Sequence, residues 1–194
     1  MGCVDADQVA TLRTLLSSTS WLERARALGR ALRTSTKSQG GLLVVGTPAD
    51  EPWHVTAHLD EESRLADIPE LMPTLVRWAP PPGAPPHLSV GLSRLEEARR
   101  GETLFVVAED AAPAPLLERV NDARHKSATI VALDSGDPEL DGLAHESLAL
   151  PGRDEPAARL VTFDAAQHLV SAAAGTREDP RSRGGGVRAR LARL

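Results

Sequence analysis

The sequence predicts a three-layer α/β/α sandwich around a five-stranded parallel sheet, of the flavodoxin-type doubly wound kind. Three observations lead there. Five short apolar runs recur along the chain without polar alternation, as strands covered on both faces require. Segments with helical spacing of their apolar residues separate these runs. Strands alternating with helices in this way imply right-handed βαβ units and hence a parallel sheet.

The elements follow in order. Val9, Leu12, Leu15 and Leu16 give 8–17 a helical spacing. A second helix is expected over 21–33, with Leu22, Ala25, Leu28, Gly29 and Leu32 on one stripe. Ser20 stands at its N-cap, and Glu23 completes a capping box. The apolar run Leu42-Leu43-Val44-Val45 is the first strand, followed by a helix over 53–66. The later strands are placed at 74–78, 103–107, 129–133 and 148–150, and the helices at 88–100, 115–126, 138–144 and 157–174. The proline-rich stretch 80–86 is a stiff loop. Residues 1–175 therefore read as one domain. The polar segment 176–194, containing Gly184-Gly185-Gly186 and six arginines, reads as a flexible tail.

A chain of 194 residues with 41% hydrophobic and 25% charged residues can bury enough surface to fold without a disulfide or metal. Cys3 is the only cysteine, so there is no disulfide framework or thiolate metal site. The start is acidic and lacks an apolar stretch, and no apolar run approaches the roughly 20 residues of a membrane span. A cytoplasmic protein without membrane contact is expected. The chain is acidic overall, with net charge −5, and carries few aromatics, which argues against nucleic-acid binding despite the arginine tail. Of its 22 basic residues only Lys37 and Lys126 are lysine, a bias that prevents single arginines from being read as anion ligands.

Between Glu102 and Pro151 a family pattern emerges. Residues 103–108 look like a strand leading into a phosphate-binding loop, 115–126 like the following helix, and 128–135 like the next strand and turn. Residues 138–145 look like the short helix before a final strand, and 41–47 like a first strand with its glycine turn. In this register the chain resembles sugar isomerase (SIS) domains, including those of bacterial phosphoglucose/phosphomannose isomerases, over roughly Trp21 to Ala174. The resemblance implies a phosphosugar ligand, a homodimer and isomerase chemistry.

Its binding loop departs from the family pattern. The loop after the third strand of such domains is rich in Ser, Thr and Gly, whose hydroxyls and backbone N–H groups hold a sugar phosphate. Here it reads Ala108-Glu109-Asp110-Ala111-Ala112-Pro113-Ala114-Pro115. It has no hydroxyl, two prolines lack N–H donors, and two carboxylates face the place of the dianion. The first turn keeps Gly46 and Thr47 but adds Asp50 and Glu51, whose expected use is to cap the next helix. Asp134, Ser135 and Gly136 could still supply donors to a ligand.

His54, His58 and Glu62 are four apart and would share one helix face. The His-x-x-x-His spacing suits zinc, but Val55 stands where the metalloprotease motif has its general-base glutamate. A ligand-facing role at the strand ends is the reading adopted for His54 and His58, with no metal and no cofactor assigned. His145 and Glu146 are the weak candidates for acid–base catalysis, since a neutral imidazole beside a carboxylate suits aldose–ketose proton transfer. His168 lies on the last helix. No glycine-rich nucleotide loop or serine-hydrolase elbow follows any strand.

The ligand-binding candidates are thus Gly46, Thr47, His54, His58, Glu109, Asp110, Asp134 and Ser135. They suggest a degenerate SIS-type domain, non-catalytic, binding a small phosphosugar-like ligand or a protein partner. An active phosphosugar isomerase and a structural or regulatory dimerisation module are the alternatives. A surplus apolar stripe comprising Leu12, Leu16, Leu160, Val161 and Leu169 is expected to form much of a homodimer interface.

Overall fold

The structure is a computed structural model that describes residues 14, 16, 17, 20–152, 154, 158 and 161–176. Among the described residues, five strands form one parallel sheet: β1 (Leu42–Val45), β2 (Pro73–Val76), β3 (Thr103–Ala108), β4 (Thr129–Asp134) and β5 (Glu146–Ala149). Their order is β2-β1-β3-β4-β5. The helices are α1 (Ser20–Ser35), α2 (Trp53–Leu65), α3 (Ser93–Glu96), α4 (Ala114–His125), α5 (Pro138–Leu143) and α6 (Phe163–Gly175). None of the described helices is long and apolar enough to cross a membrane.

The strands are apolar on consecutive residues because both faces of the sheet are covered. Leu42, Val44, Phe105, Val107, Val131 and Leu133 point into one core with α1, α2 and α6. The alternate residues Leu43, Val45, Leu104, Val106, Ile130 and Ala132 point into a second core with Leu95 of α3, Leu116 and Val120 of α4, and Leu140 of α5. Period-two alternation thus feeds two cores instead of a core and a solvent face. In the first layer α1 and α6 pack at backbone distance. A Cβ at Gly29 would meet the Ala174 nitrogen at 2.7 Å. Any side chain larger than hydrogen there would push the helices apart.

The expected helix over 88–100 is replaced by a 3₁₀ turn at Pro86–Leu88 and the single turn α3. The Arg77 N–H donates to the Val90 carbonyl at 2.8 Å, and Arg77 bridges to Gly91 in parallel. Backbone pairing with the end of β2 therefore overrides helical spacing. The helix expected from residue 157 begins at Phe163, where Thr162 accepts a hydrogen bond from the Ala165 N–H. At the other end, Ser20 is the first residue of α1.

The apolar stripe expected at a dimer interface is corrected. Leu16 is fully buried, and Val161 and Leu169 are 5% and 3% exposed, all within the single chain's first core. The helices that seemed surplus are needed to cover one sheet face. Leu12, Leu160 and the tail at 177–194 lie outside the described residues.

Candidate functional site

Strand order places the chain reversal between β1 and β3, where loops leaving the two strand ends diverge to opposite faces and open a crevice. Val45 pairs with Val106, so Gly46-Thr47 and Ala108-Glu109 emerge side by side. Gly46 is required by close approach. A Cβ there would lie 2.2 Å from the Asp50 carbonyl oxygen and 2.8 Å from Pro52. Its own carbonyl accepts from the Trp78 indole at 2.8 Å. Thr47 is 4% exposed, and its hydroxyl oxygen accepts from the Asp50 N–H at 3.2 Å. Thr47 therefore builds the turn instead of presenting itself to a ligand.

Asp50 and Glu51 do not cap α2, which corrects their expected use. The N-cap is Pro52, without a side-chain cap. Glu51 instead pairs with Arg77 at 2.8 Å and accepts from the Trp53 indole at 3.0 Å, while the Arg77 guanidinium stacks 4.6 Å from the Trp53 ring. This brace ties the β1 loop to the end of β2. Asp50 is left exposed in the crevice. There burial, then Asp164 and Asp110, pushes its carboxyl above the usual range. Glu109 is raised in the same direction by burial, Asp50, Asp110 and Asp164. Four carboxylates from two loops and the start of α6 thus share one crevice and repel one another.

The turn after β4 is closed to ligands at its backbone. The Asp134 carboxylate accepts from the Gly136 N–H at 2.5 Å and the Asp137 N–H at 3.1 Å. Its other oxygen is buried without a partner, and burial, outweighing those two bonds, raises its pKa. Asp137 caps α5 through the N–H groups of Glu139 and Leu140 and also accepts from the Ala112 N–H at 2.8 Å. The two loops are thereby locked together with their donors facing inward. Ser135 and Gly136 are exposed in this turn, whereas Asp134 is buried.

His145 and Glu146 stand at the wrong edge for this crevice. Glu146 pairs with Val131 near the start of β4. The His145 Nδ1 accepts from the Ile130 N–H at 2.9 Å, and its own N–H donates to the Ile130 carbonyl at 2.8 Å. Both candidates therefore lie at the N-terminal edge of the sheet, with His145 committed to strand pairing.

His54 and His58, by contrast, meet a partner. They share one face of α2, and α6 packs across that face to bring in His168. The Nε2 atoms of His54 and His168 are 2.8 Å apart. Ring centroids are 4.1 Å apart for His58 and His168, and 4.7 Å for His54 and His58. His168 is 8% exposed, and burial plus the neighbouring His58 and His54 lower its pKa to about 4 against the pull of Asp164. His58 is lowered by burial and by His54, with Glu61 opposing. Glu62, the third member of the spacing, lies instead against Gly175, where a Cβ would come 1.9 Å from its carboxylate oxygen. Sequence reasoning did not group Asp164 and His168 with these residues. Their own four-residue spacing on α6 is the signal that matches His54 and His58 on α2.

No family model matches the sequence, and no curated protein is significantly similar to it. Solved structures do match the fold. A protein from Salmonella typhimurium LT2 assigned as a sugar binding protein superposes with a TM-score of 0.51 at 12% identity, over 91% of this chain and 50% of that one. The chain thus spans half the length of the Salmonella protein. A Listeria monocytogenes protein assigned as a sugar-phosphate isomerase gives 0.50 at 12% identity, over 87% of this chain and 82% of its own. A crystal structure of a hypothetical protein gives 0.50 at 14% identity over 87% and 83%. Five parallel strands in the order found here, covered on both faces, give this chain the α/β fold of these solved structures.

Proposed function

We propose that this domain binds a small sugar-like ligand through its hydroxyl groups in the crevice between β1 and β3, without isomerising phosphosugars. The observation that carries the proposal is the convergence of Asp50, Glu109, Asp110 and Asp164 there. Ionised carboxylates are pure acceptors, suited to sugar hydroxyls and hostile to a phosphate dianion. Like charges about 4 Å apart in a partly desolvated site cost on the order of several kcal/mol. The position of His145 and Glu146 at the other edge supports this reading over an isomerase that would use them as its acid–base pair. The fold likeness to proteins assigned to sugar binding and sugar-phosphate isomerisation supports the ligand class.

A calorimetric panel of neutral sugars and their phosphates tests this. Neutral sugars should bind and their phosphates should not, while Glu109→Ser with Asp110→Ser should strengthen phosphate binding. A phosphosugar held with Kd near 1 μM or tighter, about 8 kcal/mol, overturns the proposal, as does unchanged phosphate binding in the double variant. A homodimer, also part of this reading, would use surfaces other than Leu16, Val161 and Leu169. Light scattering at micromolar concentration should show two chains, and a monomer removes that part.

A further inference from the structure

We propose that His54, His58 and His168 form a three-histidine site for a divalent transition metal of the zinc class, with a further coordination position open toward solvent. The site stands independently of the sugar-binding reading. Three observations carry it. The first is convergence: one nitrogen from each ring lies within 4.8 Å of the others, although His168 comes from an element more than a hundred residues downstream. Tetrahedral zinc with Zn–N bonds of about 2.0–2.1 Å separates its ligand nitrogens by about 3.3 Å. The His54 and His168 nitrogens, now 2.8 Å apart, need to separate by only about half an ångström, within reach of side-chain rotation.

The second observation is donor chemistry. Imidazole nitrogen suits zinc, copper and nickel and does not suit calcium or magnesium. Without a metal, the short His54–His168 contact is a hydrogen bond that requires one ring to donate and the other to accept.

The third observation is access and support. His168 is 8% exposed and anchored on α6, whereas the His58 side chain is 31% exposed on α2. The cluster is therefore fixed at the back and reachable from the front, as a site with an exchangeable position requires. Asp164, one turn before His168, and Glu61, 3.9 Å from the His58 Nδ1, provide negative charge around the incoming cation. The His-x-x-x-His spacing supplies two imidazoles, and the packing of α2 against α6 brings the third. A bound metal would stand beside the acidic crevice, since Asp164 acts electrostatically on His168 and on Asp50 and Glu109.

The test is titration of the tag-free, chelator-stripped full chain with Zn²⁺ by calorimetry at pH 7.5, with Co²⁺ replacing Zn²⁺ for visible absorption. We expect one ion per chain with Kd below about 1 μM, and a Co²⁺ d–d band of four- or five-coordinate intensity. His168→Gln and, on the more exposed side, His58→Asn should each weaken binding at least 100-fold. His87→Asn, in a distant loop, should leave it unchanged. Absence of saturable one-to-one binding in the wild type overturns the proposal. So does unchanged affinity in His58→Asn, a variant that remains informative even if His168→Gln fails to fold. Equal loss in His87→Asn would show adventitious surface binding and would also overturn it.

Discussion

The two edges of the sheet treat charge in opposite ways. At the N-terminal edge, charged and polar groups are matched. Glu102, 8% exposed, accepts from the Arg94 guanidinium and from the Arg99 N–H at 3.0 Å. His145 is held by Ile130, and the Arg124 guanidinium donates to the Gly142 carbonyl at 2.8 Å. At the C-terminal edge the Glu51–Arg77 pair is matched, but Asp50, Glu109, Asp110 and Asp164 oppose one another, and three histidines crowd together beside them. One edge is arranged for stability. The other retains repulsion that a bound hydroxyl-rich molecule or cation would relieve, a pattern typical of binding sites.

The comparison can be broken by substitutions of opposite sign. The largest effect is expected at the matched edge. Glu102→Ala strands the Arg94 guanidinium and the Arg99 N–H in a half-buried site and should destabilise the fold by about 2 kcal/mol in urea denaturation. A change under about 0.5 kcal/mol would mean that this edge is not held by its charges.

The smaller effect is expected at the crevice, and there substitution should stabilise. Asp50→Asn combined with Glu109→Gln should add about 0.5 kcal/mol at pH 7, the scale of exposed charge interactions. Its pH dependence follows from sign. Both carboxyls titrate higher in the folded chain than their ordinary values of 3.8 and 4.5, so the folded state binds protons more readily than the unfolded one. The repulsive penalty is complete above the raised folded values and disappears as pH falls below the ordinary ones. The variant's advantage should therefore be greatest at neutral pH and fade below about pH 4. His58 and His168 act the other way, because their lowered values make the fold lose stability as pH falls from 6.5 toward about 4. The difference between variant and wild type at each pH, measured by urea denaturation, isolates the carboxylates. An advantage that grows with acid would contradict the crevice electrostatics.

Local periodicity was enough to find β1 at Leu42–Val45 and to place the other strands within two residues, because a strand buried on both faces must be apolar at every position. It also aligned His54 and His58, since four residues make about one helical turn. The same periodicity misread 88–100 as a helix, because it contains no record that Arg77 would claim the backbone of Val90 and Gly91. Spacing likewise exposed the leucines and valine now buried under α1 and α6, since amphipathicity identifies an apolar face without identifying what covers it.

By itself the sequence determined an acidic α/β fold with a parallel sheet and a loop after β3 that carries two carboxylates, two prolines and no hydroxyl, for these depend on residue type and near-neighbour spacing. Tertiary structure alone decided which sheet edge each candidate reached. Pairing of β5 with the start of β4 sent His145 and Glu146 away from the crevice, and the turn at Gly46 drew Thr47 into its own hydrogen bond. Packing of α6 against α2 joined His168 to His54 and His58. Each of those outcomes requires segments far apart in the chain to meet, and the free energy that selects the meeting comes from burying whole faces of sheet and helix, a quantity no local spacing contains.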